Sequence, residues 1–317
     1  MIGVGDYTAF LDTEYLHGYV DSGGAAVKFV LPADDESAGR FSTGLRQRAE
    51  AGGFAVVRVD AALTKVHLIE QIFFAVSRQI DWNALAATTA RRALAVAGYP
   101  VPDGDDISVD AVAAVRGVES RELKRDLDRH LQDFVYHDYA MVQEFRIAML
   151  RLCQAQLRTG QVTDAEHSAV LDWLAGELRQ ISALKTALIF RRIARHNARH
   201  LLFSLAHWLS VNGRAGLVIE LDIRRLGLAR RPGPDEREGI YYTKASVIDA
   251  YEVLRQLVDN TDELSHCCVV VVAPAEFITD PTRGIEAYQA LKLRIIDEVR
   301  DQRRDNPYSS LVRLGAS

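Results

Sequence analysis

The apolar positions of the chain follow two periods. In "YTAFLDTEYLHGYVDSGG" (7–24), Phe10, Leu11, Tyr15 and Val20 fall at roughly helical spacing, and the pattern stops at Gly23-Gly24. "AAVKFVL" (25–31) then reads as a strand, "TGLRQRAEAGG" (43–53) as a helix closed by Gly52-Gly53, and "FAVVRVD" (54–60) as a second strand rich in β-branched valine. Strand, helix and strand within about 35 residues make a βαβ unit, which predicts a parallel sheet.

From about 61 to 212 apolar residues recur at three and four instead. Leu123, Leu127, Leu131 and Phe134 form one such row, and Leu171, Leu174, Leu178 and Ile181 another. No proline follows Pro102 in this block, which reads as helical, with breaks at "GYPVPDGDD" (98–106) and "RTGQVTD" (158–164). Strand character returns with "GLVIELD" (216–222). A loop rich in Pro, Gly and charge (224–239) leads to a helix with Val247, Tyr251, Leu254 and Val258 on one stripe. "CCVVVVA" (267–273) is a continuous apolar run, the pattern of a central parallel strand covered on both faces. Ile285, Tyr288, Leu291, Ile295 and Val299 mark another amphipathic helix, and "NPYSSLVRL" (306–314) a closing edge strand. Sheet segments thus come from both ends of the chain. The expected organisation is one α/β domain over 1–317, with core segments of about 1–80 and 213–317 and a helical insertion of about 81–212.

Composition narrows the classes. The 317 residues are 48% hydrophobic with a formal net charge of −5, so the balance as a whole does not suggest a polyanion binder, and any nucleic-acid contact must come from a local patch. Cys153, Cys267 and Cys268 make neither a disulfide framework nor a metal-ligand spacing. The most apolar run is far shorter than the roughly 20 residues that cross a bilayer. The N-terminus shows no export signal, so a cytoplasmic protein is expected.

Four stretches carry candidate chemistry. The first, "KFVLPADDESAGRF" (28–41), lies between a strand and a helix, where a phosphate loop would need G-x-x-x-x-G-K-[ST]. The four defining positions hold Pro32, Ser37, Ala38 and Gly39. Proline removes an N–H donor, alanine removes the cation and glycine removes the hydroxyl that holds magnesium. Asp34, Asp35 and Glu36 add carboxylates that repel a polyanion and are available to arginines of this chain, such as those of the helical block, or of a partner. The second is Asp222, ending an apolar strand where a Walker B aspartate would sit. Ile223 stands where a water-activating glutamate belongs, and Glu220, one step further in on the same face, is a poor substitute.

The third is "FRRIARHNARHLLF" (190–203). On a helix it would stack Arg191, Arg195 and Arg199, with Arg192, His196 and His200 in the adjoining row, a surface suited to an anionic partner. His196 and His200 lack the glutamate of H-E-x-x-H, so no metal site is expected. The fourth, "RRLGLARRPGPDERE" (224–238), offers Arg224 and Arg225 at the sheet edge where α/β proteins bind ligands.

Together "EYLHGYVDSGGAAVKFV", the strand ending in Asp222, "YYTKASVIDAYEVLRQLVDN" and "RGIEAYQALKLRIIDEVRDQRRDNPYSSLVRL", in this order, resemble the P-loop ATP-binding proteins of bacterial BREX-type phage-defence loci, the BrxC/BrxD-like group. The resemblance implies a P-loop NTPase fold of the AAA+/ASCE-like branch, a parallel sheet with helices on both faces. It also implies a defence context whose partners are a helicase, nuclease, methyltransferase or paralogous ATPase, in a homo- or hetero-oligomer, with DNA reached through them. The chain departs from the family at the phosphate loop, at Ile223, and at Pro274, where a polar sensor-like residue is usual. A pseudo-ATPase without bound cofactor is therefore expected. The alternatives are unorthodox binding of ATP and Mg²⁺, with Arg191 or Arg195 replacing the lost lysine, and a DNA-binding module built on 190–203.

Overall fold

The computed structural model describes residues 1–101, 104, 106–231, 233, 239–296 and 305–315, and of Arg116 the backbone alone. Val299, parts of the 98–106 loop, and residues 232 and 234–238 of the charged loop lie outside this description. Strands are β1 (Ala25–Pro32), β2 (Ala55–Asp60), β3 (Leu217–Asp222), β4 (Cys267–Val272) and β5 (Leu311–Leu314). Helices along the chain are α1 (Val4–Phe10), running on as a π-helix (Leu11–Val20), α2 (Asp35–Ala51), α3 (Ile69–Ser77), α4 (Trp82–Val96), α5 (Val109–Arg116) and α6 (Ser120–Leu131). They continue as α7 (Gln143–Gln156), α8 (Asp164–Ala175), α9 (Ala198–Val211), α10 (Lys244–Asp259), α11 (Glu276–Thr279) and α12 (Gln289–Ile295). The chain divides into two compact units, Met1–Val76 with Leu209–Ser317, and Ser77–Trp208.

The first unit holds a five-stranded, all-parallel sheet in the order β2-β3-β4-β1-β5. Every strand residue of β3 and β4 is buried, as expected for central strands with helices on both faces. Alternation divides the strands between two cores. Ala26, Val30, Cys268, Val270 and Val272 pack with Tyr7, Leu11, Leu16, Phe41 and Leu45 of α1, the π-helix and α2. On the opposite face Phe29 stacks on Phe277 with centroids 5.9 Å apart, and Phe277 meets Tyr251 of α10 edge-on. Lys28 is the exception on the α2 face. It is buried, and its ammonium donates to the carbonyls of Tyr308 (2.7 Å) and Ser309 (3.2 Å) over the Tyr15 ring.

The second unit is built of helices α4 to α8 and most of α9. The row Leu123, Leu127 and Leu131 is buried on α6, as its spacing predicts. Four expectations change. The row Leu171, Leu174, Leu178 and Ile181 does not share one helix, because α8 ends at Ala175 with Gly176 in the left-handed region. The helix expected from Ile285 is split into a 3-10 turn, Ile285–Ala287, and α12. The helix expected at 43–53 begins at Asp35, because Asp34 caps it and Asp35 and Glu36 sit in its first turn, where the helix dipole favours carboxylates. The stretch 190–203 is not one helix. Residues 189–194 carry no regular structure, a turn covers 195–197, and α9 starts only at Ala198. Arg191, Arg195 and Arg199 therefore do not stack on a helix face.

Candidate functional site

The connection leaving β1 runs to β2, while the one leaving β4, its neighbour, ends at β5 on the other side. Ligands of α/β sheets settle at such a divergence, beyond the carboxyl ends of the strands. A hollow of about 200 Å³ lies there, lined by Asp35, Ala38, Gly39, Arg58, Glu220, Asp222, Arg224 and Val272.

Its floor is the β1–α2 turn. Only Ala33 and Asp34 separate Pro32 from the helix, so Asp35, Glu36, Ser37, Ala38 and Gly39 are already helical. Asp34 caps the first turn of α2. Its carboxylate accepts from the Ser37 N–H at 2.7 Å and from the Ser37 hydroxyl, and its carbonyl accepts from the Ala38 N–H at 3.1 Å. These bonds, the Ser37 hydroxyl first, hold the Asp34 carboxyl below the usual carboxylate range. The helix N-terminus is thus capped by the chain itself.

The wall is an ionic network between strands. Register sets Arg58 beside Glu220 and Asp60 beside Asp222. The buried Asp222 carboxylate accepts from Arg58 Nη2 at 2.9 Å, from Arg224 Nη2 at 2.7 Å and Nε at 3.0 Å, and from the Arg224 backbone N–H at 3.1 Å. Arg224 reaches on to the exposed Asp35 at 2.5 Å, tying the strand tip to the first turn of α2. Burial alone would push the Asp222 carboxyl up, but the hydrogen bonds and charge of Arg224, with Arg58 behind them, outweigh it and hold the group low. Glu220 goes the other way. It is 2% exposed, and burial raises its carboxyl despite a 2.7 Å bond from the Ser42 hydroxyl and the Arg58 guanidinium 3.4 Å away.

These residues do not fit a nucleotide with magnesium. The Ser37 amide is capped by Asp34, the carboxylate that would face the metal is neutralised by two guanidinium groups, and the hollow is smaller than the roughly 300 Å³ at which ligand pockets begin. A larger hollow of about 800 Å³ is lined by Thr8, Asp12, His17, Arg40, Gly44 and Arg48 among others, all from helices α1, π and α2 and the turn after α2, and it includes no strand tip. Among the described residues no group of three or more His, Cys, Asp or Glu is placed to hold a metal ion, and no helix is long and apolar enough to cross a membrane.

Of the sequence candidates, the structure brings Asp35, Ala38, Gly39, Asp222 and Arg224 to one hollow. Ile223 is buried, its N–H bound to the Val272 carbonyl at 2.8 Å. Arg225 Nε donates to the Ile240 carbonyl, which anchors the loop after β3. The partner of the acidic turn is Arg224 from that loop, an arginine of this chain outside the helical block. Arg191, Arg192, Arg195 and Arg199 belong to the second unit. Sequence reading passed over Arg58 and Ser42. The legible signal for Arg58 was a charge two residues before the end of β2, matching Glu220 two before the end of β3.

Neither the curated proteins nor the solved structures contain a match to this chain. Its architecture, a parallel five-stranded sheet flanked by helices, is compatible with a P-loop NTPase. A family model for the BREX system ATP-binding protein BrxC/D matches residues 3–316, nearly the whole chain, and the chain belongs to that family.

Proposed function

We propose that this chain is a pseudo-ATPase: a BREX-system family member with the P-loop-like architecture but without ATP hydrolysis, serving as a structural or regulatory subunit of a defence assembly. The observation that carries this reading is the Asp222 carboxylate, held by Arg58 and Arg224 where a metal-binding aspartate would need an open face. An arginine is a fixed cation, so the pair supplies within the protein the charge that a magnesium–phosphate group would otherwise bring. The turn between β1 and α2 then becomes a structural latch through Asp35 and Arg224. Partners consistent with the family are other proteins of the same defence system: a helicase, nuclease, methyltransferase or paralogous ATPase.

Isothermal titration of the full chain with ATP and Mg²⁺, with a phosphate-release assay beside it, tests the reading. No heat of binding and no turnover are expected. Micromolar binding with turnover that Asp222→Ala abolishes would overturn it, and would favour ATP uptake on displaced arginines instead.

A further inference from the structure

From Leu178 to Trp208 the helical unit carries no Asp or Glu, yet it holds Arg179, Lys185, Arg191, Arg192, Arg195 and Arg199, in a chain whose net charge is −5. At the centre of this stretch the backbone forms a fixed loop. Leu184, Ala187, Ile189 and Ile193 are buried and anchor it. The Trp173 indole donates to the Arg191 carbonyl at 3.0 Å. The Asn197 carboxamide accepts from the Ala194 N–H at 2.8 Å and donates to the Arg192 carbonyl at 3.1 Å. These bonds engage the backbone of 191–194 and leave the Arg191 and Arg192 side chains at the surface. Leu188 holds φ at +63°, a conformation that L side chains rarely adopt, in a turn closed by its own N–H to the Lys185 carbonyl.

What the loop displays is unusual for a solvated surface. Phe190 is 62% exposed and Leu188 59%, beside Arg191, which is 70% exposed at its side chain. Among the described residues Arg191 has one carboxylate within reach, Glu144 at 3.9 Å, and Arg192 donates to the Arg179 carbonyl. Lys185, Arg195 and His196 make no side-chain hydrogen bond or ion pair among the described residues. An outward aromatic ring set among arginines, with no carboxylate near in sequence, combines the two elements that hold an unpaired nucleic-acid strand: a face for base stacking and cations for the phosphates. Duplex DNA would use the charges but not the ring, because its bases are already stacked. An acidic peptide would leave the ring idle in the same way.

We infer that the loop 185–197, through Phe190 and its flanking Arg191, Arg192 and Arg195, is a binding site for single-stranded nucleic acid. The inference does not depend on the fate of ATP at the other site. The test is fluorescence anisotropy of the full-length protein with a labelled oligo(dT) of roughly 16 nucleotides, the upper end of common single-strand site sizes. Binding is expected to weaken with salt, with a log–log slope near −2 for three phosphate contacts at about −0.7 each. Phe190→Ala is expected to lose roughly 5- to 150-fold, the equivalent of one stacked base, and Phe190→Trp to restore it. Joint Arg191→Glu, Arg192→Glu and Arg195→Glu substitution is expected to flatten the salt slope. The Trp173 anchor uses the Arg191 backbone, and melting curves check that each variant folds.

Three results would each overturn the inference: no binding of the oligonucleotide at roughly 50 mM salt, binding indifferent to Phe190→Ala, or a duplex bound as tightly as the single strand. Displacement of the oligonucleotide by an equal charge of polyglutamate would also overturn it, and would assign the surface to an acidic protein.

Discussion

Asp222→Asn separates an internally neutralised aspartate from one kept open for a metal. The wild-type carboxylate is 5% exposed at its side chain and receives bonds from two guanidinium groups and one backbone N–H. Asparagine keeps an acceptor for the Arg224 N–H but turns an amide donor toward arginine donors and removes the charge. Breaking one partner of a buried pair costs about 3–5 kcal/mol. Here Arg58 and Arg224 are 38% and 30% exposed and regain water, so the expected loss falls to about 2–3 kcal/mol. At about 2–4 °C per kcal/mol, the melting transition of the sheet unit should drop by about 4–12 °C. Differential scanning fluorimetry, with urea midpoints beside it, reads the change. An aspartate awaiting a cation behaves in the opposite way, since neutralising it relieves repulsion among buried carboxylates. An unchanged or raised melting temperature in Asp222→Asn would therefore refute the assignment of Arg58 and Arg224 as its permanent partners.

Two further outcomes follow from the buried titratable groups. Burial raises the folded Glu220 carboxyl above the usual glutamate value of 4.5, so it costs stability progressively as pH rises from about 4.5 through the folded value. Glu220→Gln removes that cost. The variant should gain on wild type as pH increases above 4.5 in urea unfolding, and a pH-independent difference would contradict the burial of this charge. Burial pushes the thiols of Cys153 and Cys268 up to about 12, and raises Cys267 as well. A thiol-specific disulfide reagent should accordingly label none of the three in the native protein and all of them in denaturant. Fast native labelling would place at least one at the surface.

The sheet was legible because its signals are local and redundant. A valine-rich run ending in Asp60, an aliphatic run ending in Asp222 and the fully apolar run from Cys267 left little else for those residues to do. The start of α2 was harder, because Gly39 and Gly44 interrupt its helical propensity. What decides it is the Asp34 cap together with Phe41, Leu45 and Ala49 packing on the sheet, a tertiary effect. The segment 190–203 misled for the converse reason. Its spacing suits a helix, but Trp173 and Asn197 bind the backbone of 191–194 in a non-helical form, and the Trp173 contact, 18 residues away, is not visible in a local window. The site was half legible. Asp222, the acidic turn and Arg224 could each be named, but that Arg224 joins the other two became evident only when register and the turn after β3 placed it.

Lys28 gives the fold an order in time. Its ammonium is satisfied by carbonyls 280 residues further along, and β1 takes its second neighbour, β5, from the same region. At about 5–20 residues per second, synthesis leaves that edge of β1 without β5, and this lysine without its acceptors, for roughly 15–60 s. A strand edge open for so long is a template for pairing with other chains, and a charge in the middle of the strand is one means by which natural sheets discourage it. During translation Lys28 would protect the edge from aggregation, and in the finished fold the same side chain fastens β5 in place.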